Sequence, residues 1–131
     1  MKKAIENRDD VVVLVNTFYE KVKRDECISH FFTEVVKVNW DTHLPVMYDF
    51  WENILFHTGA YAGNPMQVHQ HLHQQSPILS KHFERWLALF NETVDELYTG
   101  EKAFLVKQRA LSIATVMQIK IGNLSREESV Y

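Results

Sequence analysis

The sequence predicts an all-α domain, and three observations carry that prediction. Glycine and proline are scarce, four and three among 131 residues, and they gather mainly in the middle of the chain. Apolar side chains recur at three- and four-residue spacing over most of the length. No run of alternating apolar and polar residues bounded by turn signals stands out, so no strand is expected.

Each element then follows in order. "NRDDVVVLVNTFYEKVKRD" opens on Asn7, Asp9 and Asp10, residues that accept from the orphan N–H groups of a first turn and suit its positive end. Val11, Leu14, Val15, Phe18 and Val22 then mark one face, and Lys21, Lys23 and Arg24 fall in the last turn. Tyr19 stands at the edge of that apolar stripe. A shorter stretch, "CISHFFTEVV", puts Ile28, Phe31, Phe32 and Val35 on one side.

In "NWDTHLPVMYDFWENILF", Trp40, His43, Met47, Phe50/Trp51 and Ile54 share a face that is apolar apart from His43. Pro45 requires this helix to begin near Asp41, so that the missing N–H falls among groups with no intrahelical partner. From Phe56 to Ser80 the chain reads as irregular. Within it, Asn64 as N-cap and Pro65 as first helical residue start a short helix that holds His69, His71 and His73.

Ser80 is expected to cap "KHFERWLALFNETVDELY", with Phe83, Trp86/Leu87, Phe90, Val94 and Leu97 inward and Thr99-Gly100 closing it. The last helix, "EKAFLVKQRALSIATVMQIKI", is amphipathic through Phe104, Leu111, Ala114 and Met117. Gly122 is expected to end it. The chain is therefore read as one domain, 1–131, of four substantial helices with one or two short ones, its ends frayed over about 1–8 and 122–131.

Composition narrows the function classes. A formal net charge of −3 with no basic patch gives no reason to expect a nucleic-acid partner. The apolar run Val11–Val15 is far short of a membrane span, and no signal-peptide core precedes it. Cys27 is alone, which excludes an intrachain disulfide and allows a reducing compartment, so the cytoplasm is the default. No exposed apolar stripe demands a partner, so a monomer or weak oligomer is expected.

The seven histidines carry what chemistry the sequence offers. His30, His57 and His82 sit among polar neighbours or at element ends and are read as solvated. On a helix His69 and His73 share a face while His71 points elsewhere. A zinc protease helix would need a glutamate between the pair, and Gln70, His71 and Leu72 supply none. A single imidazole beside a large apolar pocket points to haem instead, and the aromatic load (Phe18, Phe31, Phe32, Phe50, Trp51, Phe83, Trp86, Phe90) exceeds what a small four-helix core requires. From spacing alone three readings stand open: haem, a zinc or nickel site on the histidines, and a helical interaction or sensor module with an incidental histidine cluster.

The motifs taken together go further. "FYEKVKRD" is followed by W-x-x-H-x-x-x-x-x-x-F-W (Trp40, His43, Phe50, Trp51) and by Y-x-G-x-P-x-x-x-H (Tyr61, Gly63, Pro65, His69). F-x-x-W-L-x-L-F (Phe83 to Phe90) and QRA (Gln108 to Ala110) complete the series. In this order, from about residue 11 to about residue 118, the chain resembles the truncated haemoglobins, specifically their third group. The resemblance implies a shortened globin fold, two helices packed across two, with haem b between them.

It also implies roles. His69 corresponds to the axial iron ligand, Tyr19 and Trp86 to hydrogen-bond donors of the distal pocket, and His43 to its gate. Met47 and Phe50 correspond to apolar lining, and Tyr61 and Trp86 to further haem contacts. The function implied is reversible binding of O2 and related small ligands, NO, CO or peroxide, with tight O2 binding from a polar pocket. NO dioxygenase or peroxidase-like turnover would need an unidentified reductase. His71 and His73 stand outside the motif, and Pro45 lies within the distal helix.

Overall fold

The computed structural model describes residues 2–35, 37–59, 69, 72, 73, 76 and 78–130, with the backbone alone for 121–130. Four long helices dominate: α1 (Arg8–Arg24), α2 (Trp40–Phe56), α3 (Ser80–Leu97) and α4 (Glu101–Val130). A five-residue π-helical turn, Phe31–Val35, lies between α1 and α2. His69, Leu72 and His73 also have helical backbone. Among the described residues the only β pairing is an isolated bridge, Lys3 to Tyr98. No helix there is long and apolar enough to cross a membrane.

α1 packs on α2 and α3, and α4 closes the ring against α2 and α3, so one helix pair lies over another. The reason is visible in the sequence stripes. Val11, Leu14, Val15, Phe18 and Val22 of α1 are all buried, and they meet Trp51 and Leu55 of α2 and Phe90 and Val94 of α3. Phe90 is the centre: it stacks on Trp51 at 4.8 Å and on Trp86 at 5.6 Å, and meets Phe18 edge-on at 5.2 Å. Burying each such ring contributes about 1.5–3 kcal/mol, before the extra gain of favourable ring geometry.

α4 departs from expectation. Its buried face is Ala103, Val106, Ala110, Ala114 and Met117, whereas Phe104 and Leu111 are 60% and 53% exposed. Ala114 and Met117 are buried as expected, while in the first half of the helix the buried positions are Ala103, Val106 and Ala110, one residue before Phe104 and Leu111. With Ile119 at 59%, Phe104 and Leu111 leave apolar side chains on the outer face, contrary to the expected absence of such a stripe. Gly122 does not end this helix, whose backbone runs on to Val130.

Residues 3–6 pack against the helices. Ile5 is buried, the Thr99 N–H donates to the Lys3 carbonyl at 2.9 Å, and Lys3 Nζ donates to Asp10 at 2.9 Å. Asp10 also accepts from the Glu6 N–H at 2.8 Å, while the Tyr98 hydroxyl donates to the Asp10 carbonyl. A buried carboxylate with these donors holds residues 3–6 against the start of α4's neighbour, α3's C-terminal end.

Caps follow the expected chemistry at α1, where Asn7 accepts from the Asp10 N–H, and at α2, where Asn39 accepts from the Asp41 N–H. α2 begins at Trp40, so Pro45 lies just past the orphan N–H groups and removes one helical bond, to the carbonyl of Asp41. α3 is not capped by Ser80: its N-cap is Leu79, whose N–H donates to His82 Nδ1 at 2.8 Å. Gly100, at φ +99°, makes the left-handed step between α3 and α4.

Candidate functional site

A cavity of about 280 Å³ lies between the helix pairs. α1 contributes Tyr19, and the segment after it Ile28, Phe31 and Phe32. α2 contributes His43, Met47 and Phe50 at one-turn intervals, together with Val46 and Trp51. His69 and Leu72 come from the helical stretch before α3, Phe83 and Trp86 from α3, and Ile113, Ala114 and Met117 from α4. A second, wider chamber of about 690 Å³ shares Phe50, Ile113 and Met117 with it and opens beside Asn53, His57 and Arg109.

The structure thus brings Tyr19, His43, Met47, Phe50, His69 and Trp86 to one cavity from four separate parts of the chain. Tyr61, Asn64, Pro65 and His71 lie outside the described residues. His73 is buried and its Nδ1 accepts from the Ile78 N–H at 2.9 Å, so it braces the turn into α3. Among the described residues no three His, Cys, Asp or Glu side chains gather as a metal-binding group.

The polar atoms of the cavity share one peculiarity. His43 Nε2 is buried with no hydrogen-bond partner among the described residues. The Tyr19 hydroxyl and the Trp86 indole N–H likewise make no hydrogen bond there, although Tyr19 is only 7% exposed. The Tyr19 ring is held by Phe18 at 4.9 Å, His43 at 5.3 Å, Trp40 at 5.5 Å and Phe32 at 5.9 Å. Burial pushes its hydroxyl far above the usual phenol range, so it stays protonated and can only donate or accept as O–H. Burial, and then the charge of nearby His69, lower the His43 imidazole, which favours its neutral form. Unmatched donors inside an apolar wall are costly unless a bound group meets them.

His82 overturns its expected place on the surface. It is 8% exposed, lines the cavity, and packs edge-on against Phe31 at 4.8 Å and His30 at 5.8 Å. His57 is exposed as expected and His30 is half-buried. The sequence held one signal for His82: it lies four residues before Trp86 and so shares that residue's helix face.

An apolar slot of this kind, walled by two helix pairs and holding imidazoles and unmatched donors, is the arrangement expected of a globin. A family model described as bacterial-like globin matches residues 3–121. Group 3 truncated hemoglobin ctb of Campylobacter jejuni is 31% identical over 115 residues, spanning 86% of this chain and 88% of that one. The crystal structure of a group III truncated hemoglobin from Campylobacter jejuni superposes with a TM-score of 0.81 at 30% identity, covering 92% of this chain and 95% of that chain. The chain belongs to the bacterial-like globins, in the group III truncated haemoglobin branch.

Proposed function

We propose that this globin holds haem b through His69 and reversibly binds O2 and related small ligands in a distal pocket formed by Tyr19, His43 and Trp86. The observation that carries the reading is the set of polar atoms just described, each lining an apolar cavity without a partner among the described residues. Leaving the buried His43 Nε2 unmatched is destabilising by about 1–3 kcal/mol, and a polar diatomic in the cavity would be met by it and by the Tyr19 and Trp86 donors.

The donor set fits a haem group. His69 offers an imidazole lone pair, and Met47, Phe50 and Phe83 offer flat apolar wall. Haem, when bound, supplies an iron that takes small ligands reversibly. The rest is done by the chain. Tyr19 and Trp86 donate toward any ligand atom that carries negative charge, in a cavity whose apolar lining keeps water from competing. His43, neutral and next to Tyr19, can donate or swing aside, and so control entry. The walls exclude bulk water and so strengthen each hydrogen bond. Chemistry on NO or peroxide would use the same donors and needs an electron donor from outside the chain.

The test is spectroscopic. Hemin added to the purified apoprotein should give a shifted, saturable Soret band at one equivalent, and ferrous protein should bind O2 and CO. His69→Ala should lose that band or bind hemin far more weakly. A protein that stays colourless would instead favour a helical interaction module, and a His69→Ala variant with an unchanged spectrum would remove His69 from its role.

A further inference from the structure

His82 lines the cavity yet takes no part in the roles given to Tyr19, His43, His69 and Trp86. Its Nδ1 accepts the Leu79 N–H, which in the neutral ring puts the proton on Nε2. Among the described residues Nε2–H makes no hydrogen bond, although His82 as a whole is only 8% exposed.

The ring's neighbours are aromatic. Phe31 covers one side of the ring, and His30 lies 5.8 Å away. Burial lowers the His82 imidazole most, and the charges that push it further in that direction are His30 and Lys81. The Asp25 carboxylate is already committed, since it accepts from Arg85 and from the Cys27 N–H. His82 also lies in the first turn of the 18-residue helix α3, whose positive end adds to the same potential. An imidazole N–H that lines the cavity at the N-terminus of a long helix, with no hydrogen-bond acceptor among the described residues, is suited to an anion that reaches it through the apolar cavity.

Resting on the haem reading above, we propose that His82, backed by His30 and the N-terminus of α3, receives the carboxylate edge of the haem. One propionate would accept from the Nε2–H, and His82 would then fix which edge of the macrocycle faces this end of the cavity. The competing opening beside His57 and Arg109 has charge too, but both residues are exposed, where water and salt screen them.

The experiment compares protohaem with its dimethyl ester, which keeps the flat apolar body and loses both negative charges. Each is loaded into the full chain, and its loss to an excess of scavenging apoprotein is followed in the Soret region. The variant is His82→Asn, which retains an acceptor near the Nδ1 position for the Leu79 N–H and deletes the Nε2 donor. Arg109→Gln is the control for the other opening.

The wild-type chain should lose the ester roughly tenfold or more faster than haem, the scale of a charge-assisted hydrogen bond. His82→Asn should lose haem about as fast as the ester, with the ester rate unchanged, while Arg109→Gln keeps the wild-type discrimination. Equal acceleration of haem and ester in His82→Asn would mean a purely structural role and overturn the proposal. So would discrimination lost in Arg109→Gln but kept in His82→Asn, or no discrimination in the wild-type chain. A chain that takes up neither haem nor ester would instead refute the haem reading itself.

Discussion

Replacing Tyr19 with phenylalanine deletes one oxygen and leaves the ring among Phe18, Phe32, Trp40 and His43 in place. The Tyr19 hydroxyl makes no hydrogen bond among the described residues, so no protein contact is lost with it. Its elevated pKa keeps it a proton donor throughout the physiological range. A hydrogen bond from a neutral donor to a charged acceptor contributes about 1.5–3 kcal/mol. At about 1.36 kcal/mol per factor of ten, Tyr19→Phe should raise the O2 dissociation rate roughly 10- to 150-fold.

Carbon monoxide carries little charge when bound and should leave the variant at close to the wild-type rate. Stopped-flow displacement of O2 and of CO from the ferrous protein measures both. The melting temperature should not fall, because no hydrogen bond to a described residue is lost with the hydroxyl. Equal acceleration of the two gases would refute hydrogen bonding as the cause. Unchanged O2 release with intact haem content would refute the placement of Tyr19 against the ligand. Tyr19 is a cleaner probe than Trp86, whose ring also stacks on Phe90 and meets Phe18, so that its removal disturbs the core.

Two further predictions concern the scaffold. Burial alone would raise the Asp10 carboxyl, but the Glu6 N–H, the Lys3 ammonium and the Asn7 N–H outweigh it and hold the group below its ordinary value. Its stabilising contribution is therefore complete above the unfolded pKa, near ~4, and is lost as pH falls through the folded one. Asp10→Asn should cost about 1–3 kcal/mol at neutral pH and much less at pH ~3, in urea unfolding at the two pH values; an equal cost at both would refute the ionic account. Pro45→Ala restores an N–H within α2 at an exposed position and should stabilise by about 1–3 kcal/mol, after allowing for the looser unfolded chain. Calorimetry should show a melting temperature several degrees higher, and a lower one would mean that the proline fits a bend that alanine cannot hold.

Much of the fold was legible because local rules agree with global packing. The α1 stripe, from Val11 to Val22, is wholly buried, and Asn7 and Asn39 cap as their chemistry demands. On α4 the sequence places Ala114 and Met117 inward correctly, but periodicity weighs Phe104 and Leu111 above Ala103 and Ala110. Close helix packing selects the small residues instead, and turns the large ones outward. Gly122 was read as a stop, whereas the helix continues across it, as glycine permits at a cost of about 1 kcal/mol.

The candidate site divides in the same way. By itself the sequence determined the helical class, the α1 and α3 apolar faces, and the residue types that match the family: Tyr19, His43, His69 and Trp86. Those are properties of local spacing and of motif order. Only the tertiary structure decided that these residues meet in one cavity, that their polar atoms lack partners among the described residues, and that His82 joins them while His57 does not. Burial and hydrogen-bond satisfaction depend on segments distant in sequence closing over a side chain, and although spacing puts His82 on the Trp86 face, it does not encode the packing of His30 and Phe31 against it.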